Sequence, residues 1–129
     1  MNVFLDNCLA PRHALSLQPL FAPEHHFEHL RDRFSPGVSD EEWLERLGLE
    51  GGWIVISGDD RIRRTPHERE AWRRSGLTVF FLAKGWMHLP LPAQHARLTL
   101  CMEDILETAR RHPKGKGFVV TVRGKIEEL

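Results

Sequence analysis

Two apolar runs, Trp53 to Ile56 (WIVI) and Leu77 to Leu82 (LTVFFL), constrain this chain more than any other feature. A strand with one face in water alternates apolar and polar residues. These runs do not alternate, so both faces of each strand must be covered. Sheets covered on both faces are mainly parallel, and parallel neighbours need long crossovers, usually helices. The intervening sequence supplies them.

Val3 to Leu5 is a short strand ended by Asp6-Asn7. Pro11 then opens a helix over Arg12 to Leu20, since proline in a first turn gives up no helical hydrogen bond. Pro23 to Arg33 fits either an edge strand or a helical turn. Ser39 before Asp40-Glu41-Glu42 is an N-cap with Glu42 placed for a capping box, which predicts a helix from Asp40 to about Leu49. Gly51-Gly52 ends it. Further helices are expected over Pro66 to Ser75 and Leu91 to His112, and a last strand over Phe118 to Val122. The expected fold is α/β, with a mainly parallel central sheet between two helical layers, and 129 residues suit a single domain over 1–129.

No run is long enough to cross a bilayer, and an acid at position 6 makes Val3 to Leu5 a strand rather than a signal peptide. Cys8 and Cys101 lack the spacing of a redox or zinc pair and read as buried thiols in a reducing setting, so a cytoplasmic location is expected. Basic and acidic residues balance at 18 each, which argues against binding nucleic acid through bulk charge. The charge is segregated, however. Asp40 to Glu50 holds five acids against Arg46, and Arg61 to Arg74 holds six arginines against Glu68 and Glu70.

In parallel sheets ligands bind beyond the carboxyl ends of the strands, and both Asp6 and Asp59 fall there. With Asp40-Glu41 at a helix start and Asp59-Asp60 after a strand, carboxylates from separate elements could hold Mg²⁺ or Mn²⁺, which take oxygen ligands. Such an ion activates water and offsets charge on a phosphodiester. Each acid alone also has a structural explanation, as a turn former or a complement to a helix dipole.

The segments FLDNCLAPR, SDEEW and WIVISGDDRI, in that order, resemble the PIN-like domain family, in the branch related to VapC-type toxins of toxin–antitoxin pairs. The resemblance runs from Asn2 to about Trp86. It implies a three-layer α/β/α fold and a metal-dependent endoribonuclease, with RNA as substrate and a protein antitoxin as partner, and it leaves room for self-association. It places the catalytic and metal-holding acids at Asp6, Asp40 and Asp59, with Asp60 as a further ligand and Asn7, Glu41 and Ser57 as helpers. Arg61, Arg63 and Arg64 would meet RNA phosphates at the rim. Related sequences often carry a second acid two places after the third aspartate, and here that place is Arg61. The alternative is therefore a PIN-like module that has lost catalysis and binds a protein or RNA.

Trp72 and Trp86 are candidates for stacking on bases or for the core, and Trp86-Met87 for an exposed partner surface. His25, His26 and His29 invite a metal reading, but a polar surface segment explains them as well. A strand-end aspartate is shared with haloacid-dehalogenase-like phosphatases, whose second aspartate two places on is Cys8 here. No nucleophile elbow or phosphate-binding glycine loop is present.

Overall fold

The computed structural model describes all 129 residues, Met1–Leu129. Its strands are β1 (Asn2–Leu5), β2 (His26–His29), β3 (Trp53–Ser57), β4 (Thr78–Leu82), β5 (Gly117–Val120) and β6 (Ile126–Glu128). Its helices are α1 (Pro11–Phe21), α2 (Leu30–Arg33), α3 (Asp40–Glu50), α4 (Arg61–Arg64), α5 (Pro66–Ser75) and α6 (Leu91–Arg111), with a 3₁₀ turn over Lys84–His88. The strands form one sheet in the order β2-β1-β3-β4-β5-β6. All neighbours are parallel except β5 and β6.

The apolar runs are buried from end to end, as their lack of alternation requires: every residue of β3 and of β4 is buried. Odd and even positions then serve different layers. Val3, Leu5, Ile54, Ile56, Phe80 and Leu82 pack with Leu17 of α1 and Leu98, Met102 and Ile105 of α6. Phe4, Val55, Val79 and Phe81 pack on the other face with Trp43, Leu44 and Leu47 of α3 and Ala71 of α5. The three-layer α/β/α sandwich follows from this division.

Several local expectations need correction. The undecided segment supplies both alternatives in turn, β2 at the sheet edge and then the single turn α2. The reciprocal capping box forms at α2, not α3. His29 Nδ1 accepts from Arg31 N–H and the Asp32 carboxylate accepts from His29 N–H. At α3, Ser39 Oγ does accept from Glu42 N–H at 3.1 Å, but the Glu42 carboxylate accepts from the Ser39 hydroxyl instead of its backbone. The last strand ends at Val120, and β6, which is short and mostly charged, was not anticipated because it has no buried face to mark it. Trp86 is fully buried, its indole N–H donating to the carbonyls of Val120 and Thr121, so it offers no partner surface. Trp72 likewise donates to Leu77 O and packs edge-on against Phe81. No helix is long and apolar enough to cross a membrane.

Gly48 of α3 packs directly against the backbone of Ser75 in α5. A Cβ there would lie 2.8 Å from the Ser75 carbonyl oxygen, a backbone atom that cannot rotate away. Alanine ordinarily favours a helix over glycine by about 1 kcal/mol. Here Gly48→Ala is expected to lower unfolding free energy by about 1–3 kcal/mol in urea titrations, because the two helices must separate. A gain in stability would show that this contact is loose.

Candidate active site

The sheet order places the site before any side chain is considered. The chain leaves β1 toward β2 on one side, then returns across β1 to β3 on the other, so the direction of winding reverses between β1 and β3. In open parallel sheets the crevice beyond the strand ends at such a point is where ligands bind. Asp6 follows β1 and Asp59 follows β3, and Leu5 pairs with Ile56 in register, so the two acids flank that crevice.

Asp6 is 3% exposed. Its carboxylate accepts from the Ser57 hydroxyl, from Cys8 N–H at 3.1 Å and from Gly58 N–H at 3.4 Å. The Ser57 oxygen in turn accepts from Asp59 N–H at 2.9 Å. Ser57 thereby ties the two strand ends together, a more definite part than the helper expected for it. Burial pushes Asp6 up to about 6, and the Ser57, Cys8 and Gly58 donors only partly offset that.

Asp59 has an 11% exposed side chain gripped by Arg61. Burial acts to raise it, but the Arg61 side chain and backbone N–H outweigh burial and hold it below the usual carboxylate range. Asp40 accepts from the Trp43 indole N–H at 2.9 Å, which orients it from the first turn of α3. Glu68, from the first turn of α5, faces Asp40. Its Oε2 is buried and has no donor. Burial and then the opposing Asp40 carboxyl raise Glu68, while Arg61 pulls it down.

Glu68 is the acid the sequence did not disclose. An acid in a first helical turn reads as a complement to the helix dipole, and only the packing of α5 against α3 brings it to Asp40. The remaining candidates lie around this group. Asp60 pairs with Arg63 and Arg64. Asn7 Oδ1 accepts from Arg31 Nε, and Glu41 is 3.6 Å from His67 Nε2. Arg63 also lies over the Phe81 ring at 5.7 Å, which anchors it, whereas the side chains of Arg61 and Arg64 are 71% and 68% exposed. Arg12 and Lys84, not anticipated as rim residues, leave the carboxyl ends of β1 and β4 and are both exposed. Neither has a carboxylate within ion-pair distance.

The histidines are not a site. His26 pairs with Glu28, while His29 is fully buried, so the surface reading fails for it. Its Nδ1 accepts a backbone N–H, so its proton is on Nε2 and donates to Leu9 O at 2.7 Å, fixing the loop after β1. Cys8 is exposed rather than buried. Partial burial and the nearby Asp6 and Asp59 push its thiol up to about 12, so it stays protonated at neutral pH and is no nucleophile.

The donor set of Asp6, Asp40, Asp59 and Glu68 is all oxygen, and Glu68 Oε2 lacks a positive or donating partner. That chemistry fits a hard divalent cation. In this conformation no three acidic, histidine or cysteine side chains are disposed to hold an ion together. The clefts beside α3 do not include these four acids, so topology and charge define the site better than concavity does.

Asp6 yields a pH dependence of definite sign. Its folded value of about 6 exceeds the ordinary 3.8, so between these pH values the folded state keeps a proton that the unfolded state releases. Stability therefore falls as pH rises through this window, and ionised Asp6 costs roughly 3 kcal/mol at neutral pH. Asp6→Asn is expected to flatten that slope and to be more stable than wild type at pH 7 in chelating buffer. An unchanged slope in urea titrations would assign the pH dependence to other groups.

Among known proteins, a family model described as PIN like domain matches residues 1–84, the stretch that carries β1 to β4 and all four acids. No curated protein and no solved structure shows a significant match. PIN-like domains are a superfamily of nucleases and generally use divalent metal ions. With 84 of its 129 residues matched and the three-layer parallel sheet in place, this chain belongs to the PIN-like domain family.

Proposed function

We propose that this protein is a metal-dependent endoribonuclease of the PIN-like class, acting in the cytoplasm as a single domain and serving as the toxin of a toxin–antitoxin pair. The observation that carries the nuclease reading is a buried acid, Asp6, joined through Ser57 to Asp59 at the reversal point of the sheet, with Asp40 and Glu68 beside them. The toxin assignment and a protein antitoxin rest on the resemblance of FLDNCLAPR, SDEEW and WIVISGDDRI.

Asp6, Asp40, Asp59 and Glu68 would hold Mg²⁺ or Mn²⁺. The ion would lower the pKa of attacking water and offset negative charge on the phosphodiester. Ser57 keeps Asp6 and the Asp59 backbone in fixed relation, so that two ligands from different strands stay aligned. Trp43 orients Asp40 in the same way. Arg12, Lys84, Arg61 and Arg64 supply positive charge at the sheet's carboxyl edge, where an RNA backbone must approach acids that would otherwise repel it.

A non-catalytic binding module is the second reading, and the Arg61–Asp59 pair is the observation that favours it. Calorimetric titration with Mn²⁺ separates the two, since a scaffold without a site gives no carboxylate-dependent heat. For the nuclease, Asp6→Asn and Asp59→Asn are expected to abolish Mn²⁺-dependent cleavage of a mixed RNA substrate while retaining the wild-type circular dichroism. Undiminished cleavage by both variants would sink the assignment.

The rim is tested by salt dependence. Arg12→Gln and Lys84→Gln are each expected to weaken RNA binding and to reduce the slope of log affinity against log salt by roughly one phosphate contact. An unchanged slope would remove that residue from the rim.

A further inference from the structure

Arg61 stands two places after Asp59, where an acid was expected, and its guanidinium meets the Asp59 carboxylate through two of its nitrogens. Nε is 3.0 Å from both Oδ1 and Oδ2, and Nη2 is 2.6 Å from Oδ2. The same cation also acts, more weakly, on Asp40 and Glu68, two further acids of the cluster. Its single positive charge faces three carboxyl groups. The surplus is visible in Glu68, whose buried Oε2 has no donor.

Building on the metal-dependent reading above, we propose that Arg61 is the resident counter-cation of the acidic site, occupying Asp59 in place of a divalent ion and leaving it when the ion binds. The two compete for Asp59, because Oδ2 accepts from Nε and Nη2 of the guanidinium while Oδ1 shares Nε and accepts the Arg61 backbone N–H, so an ion must displace the charged donor to reach the carboxylate.

The exchange is physically easy. The Arg61 side chain is 71% exposed, so its departure re-solvates the guanidinium instead of burying it. Arg61 is the first residue of the single-turn α4, and its backbone N–H donates separately to Asp59 Oδ1 at 2.9 Å. Asp59 therefore keeps its orientation after the side chain has gone. A double positive charge replaces a single one beside three carboxyls, which favours the exchange. The released guanidinium remains at the rim, where it can pair with a phosphate oxygen. Arg61 is thus a positioning residue that trades one anion for another, not a catalytic residue.

The test is Mn²⁺ binding by the full chain, read by calorimetry and by the loss of the free Mn²⁺ electron-spin signal, so that activity is not the measure. Arg61→Gln is expected to bind Mn²⁺ roughly three- to ten-fold more tightly than wild type, the range between an exposed and a charge-assisted two-point pair. Arg61→Lys is expected to fall between them, because an ammonium cannot grip both oxygens. Arg73→Gln removes one charge from α5 without an ion pair and is expected to change affinity less than about two-fold, well below the Arg61 effect. In an Asp59→Asn background, Arg61→Gln is expected to give no gain, since the two residues act on one oxygen pair. Equal, measurable affinity in wild type and Arg61→Gln would overturn the exchange and leave the nuclease reading standing. Absence of binding in both would overturn the two together. Binding by Arg61→Gln alone would overturn the exchange, because Arg61 would then hold Asp59 permanently, and would assign wild type to the non-catalytic module.

Discussion

Parallel pairing of strands that are apolar on both faces governs everything else in this molecule. A parallel strand cannot be joined to its neighbour by a hairpin, so each connection carries a helix across the sheet. Strands without a polar face then demand helices on both sides. Val3, Leu5, Ile54 and Ile56 meet α1 and α6, while Phe4, Val55, Val79 and Phe81 meet α3 and α5. The reversal of winding between β1 and β3 follows from filling both sides. The crevice that results lies beyond the ends of β1 and β3, and Asp6 and Asp59 stand at those ends.

The acids gathered there conflict with stability, and the conflict is distributed unevenly. Asp6 is raised by burial despite three donors, and Glu68 is raised by burial and by Asp40. Asp59 alone is held low, because Arg61 gives it what the others lack. Strain of this kind, in which like charges are kept together in a partly buried place, is expected of a site selected to bind a cation and not of a surface selected only for stability. The basic residues complete the arrangement. Arg63 is anchored by Asp60 and Phe81, whereas Arg12 and Lys84, which are exposed and pair with no carboxylate, are free to meet an anion.

Much of this was legible in the chain, but unequally so. The runs at Trp53 to Ile56 and Leu77 to Leu82 declared their strands because burial on both faces leaves no alternation to interpret. Pro11 and Ser39 declared their helices because both act locally, the one through its fixed φ in a first turn and the other through a hydrogen bond to Glu42 N–H. The segment from Pro23 to Arg33 was opaque, since His29 is polar by type yet buried, made tolerable by a partner at Leu9, twenty residues away, that no local pattern reveals. Trp86 was equally ambiguous: its indole is satisfied by carbonyls of Val120 and Thr121, more than thirty residues away.

The sequence by itself determined the strand-end positions of Asp6 and Asp59 and the α/β alternation, because hydrophobic period, turn residues and helix caps act over a few residues. Only the tertiary structure decided which acids share a site. It brought Glu68 to Asp40 through the packing of α5 on α3, and Asp6 to Asp59 through Ser57 and the pairing of β1 with β3. Contacts between elements distant in the chain leave no local pattern, so an acid at a strand end or in a first helical turn could have been a cap, a pair or a ligand until the helices were in place.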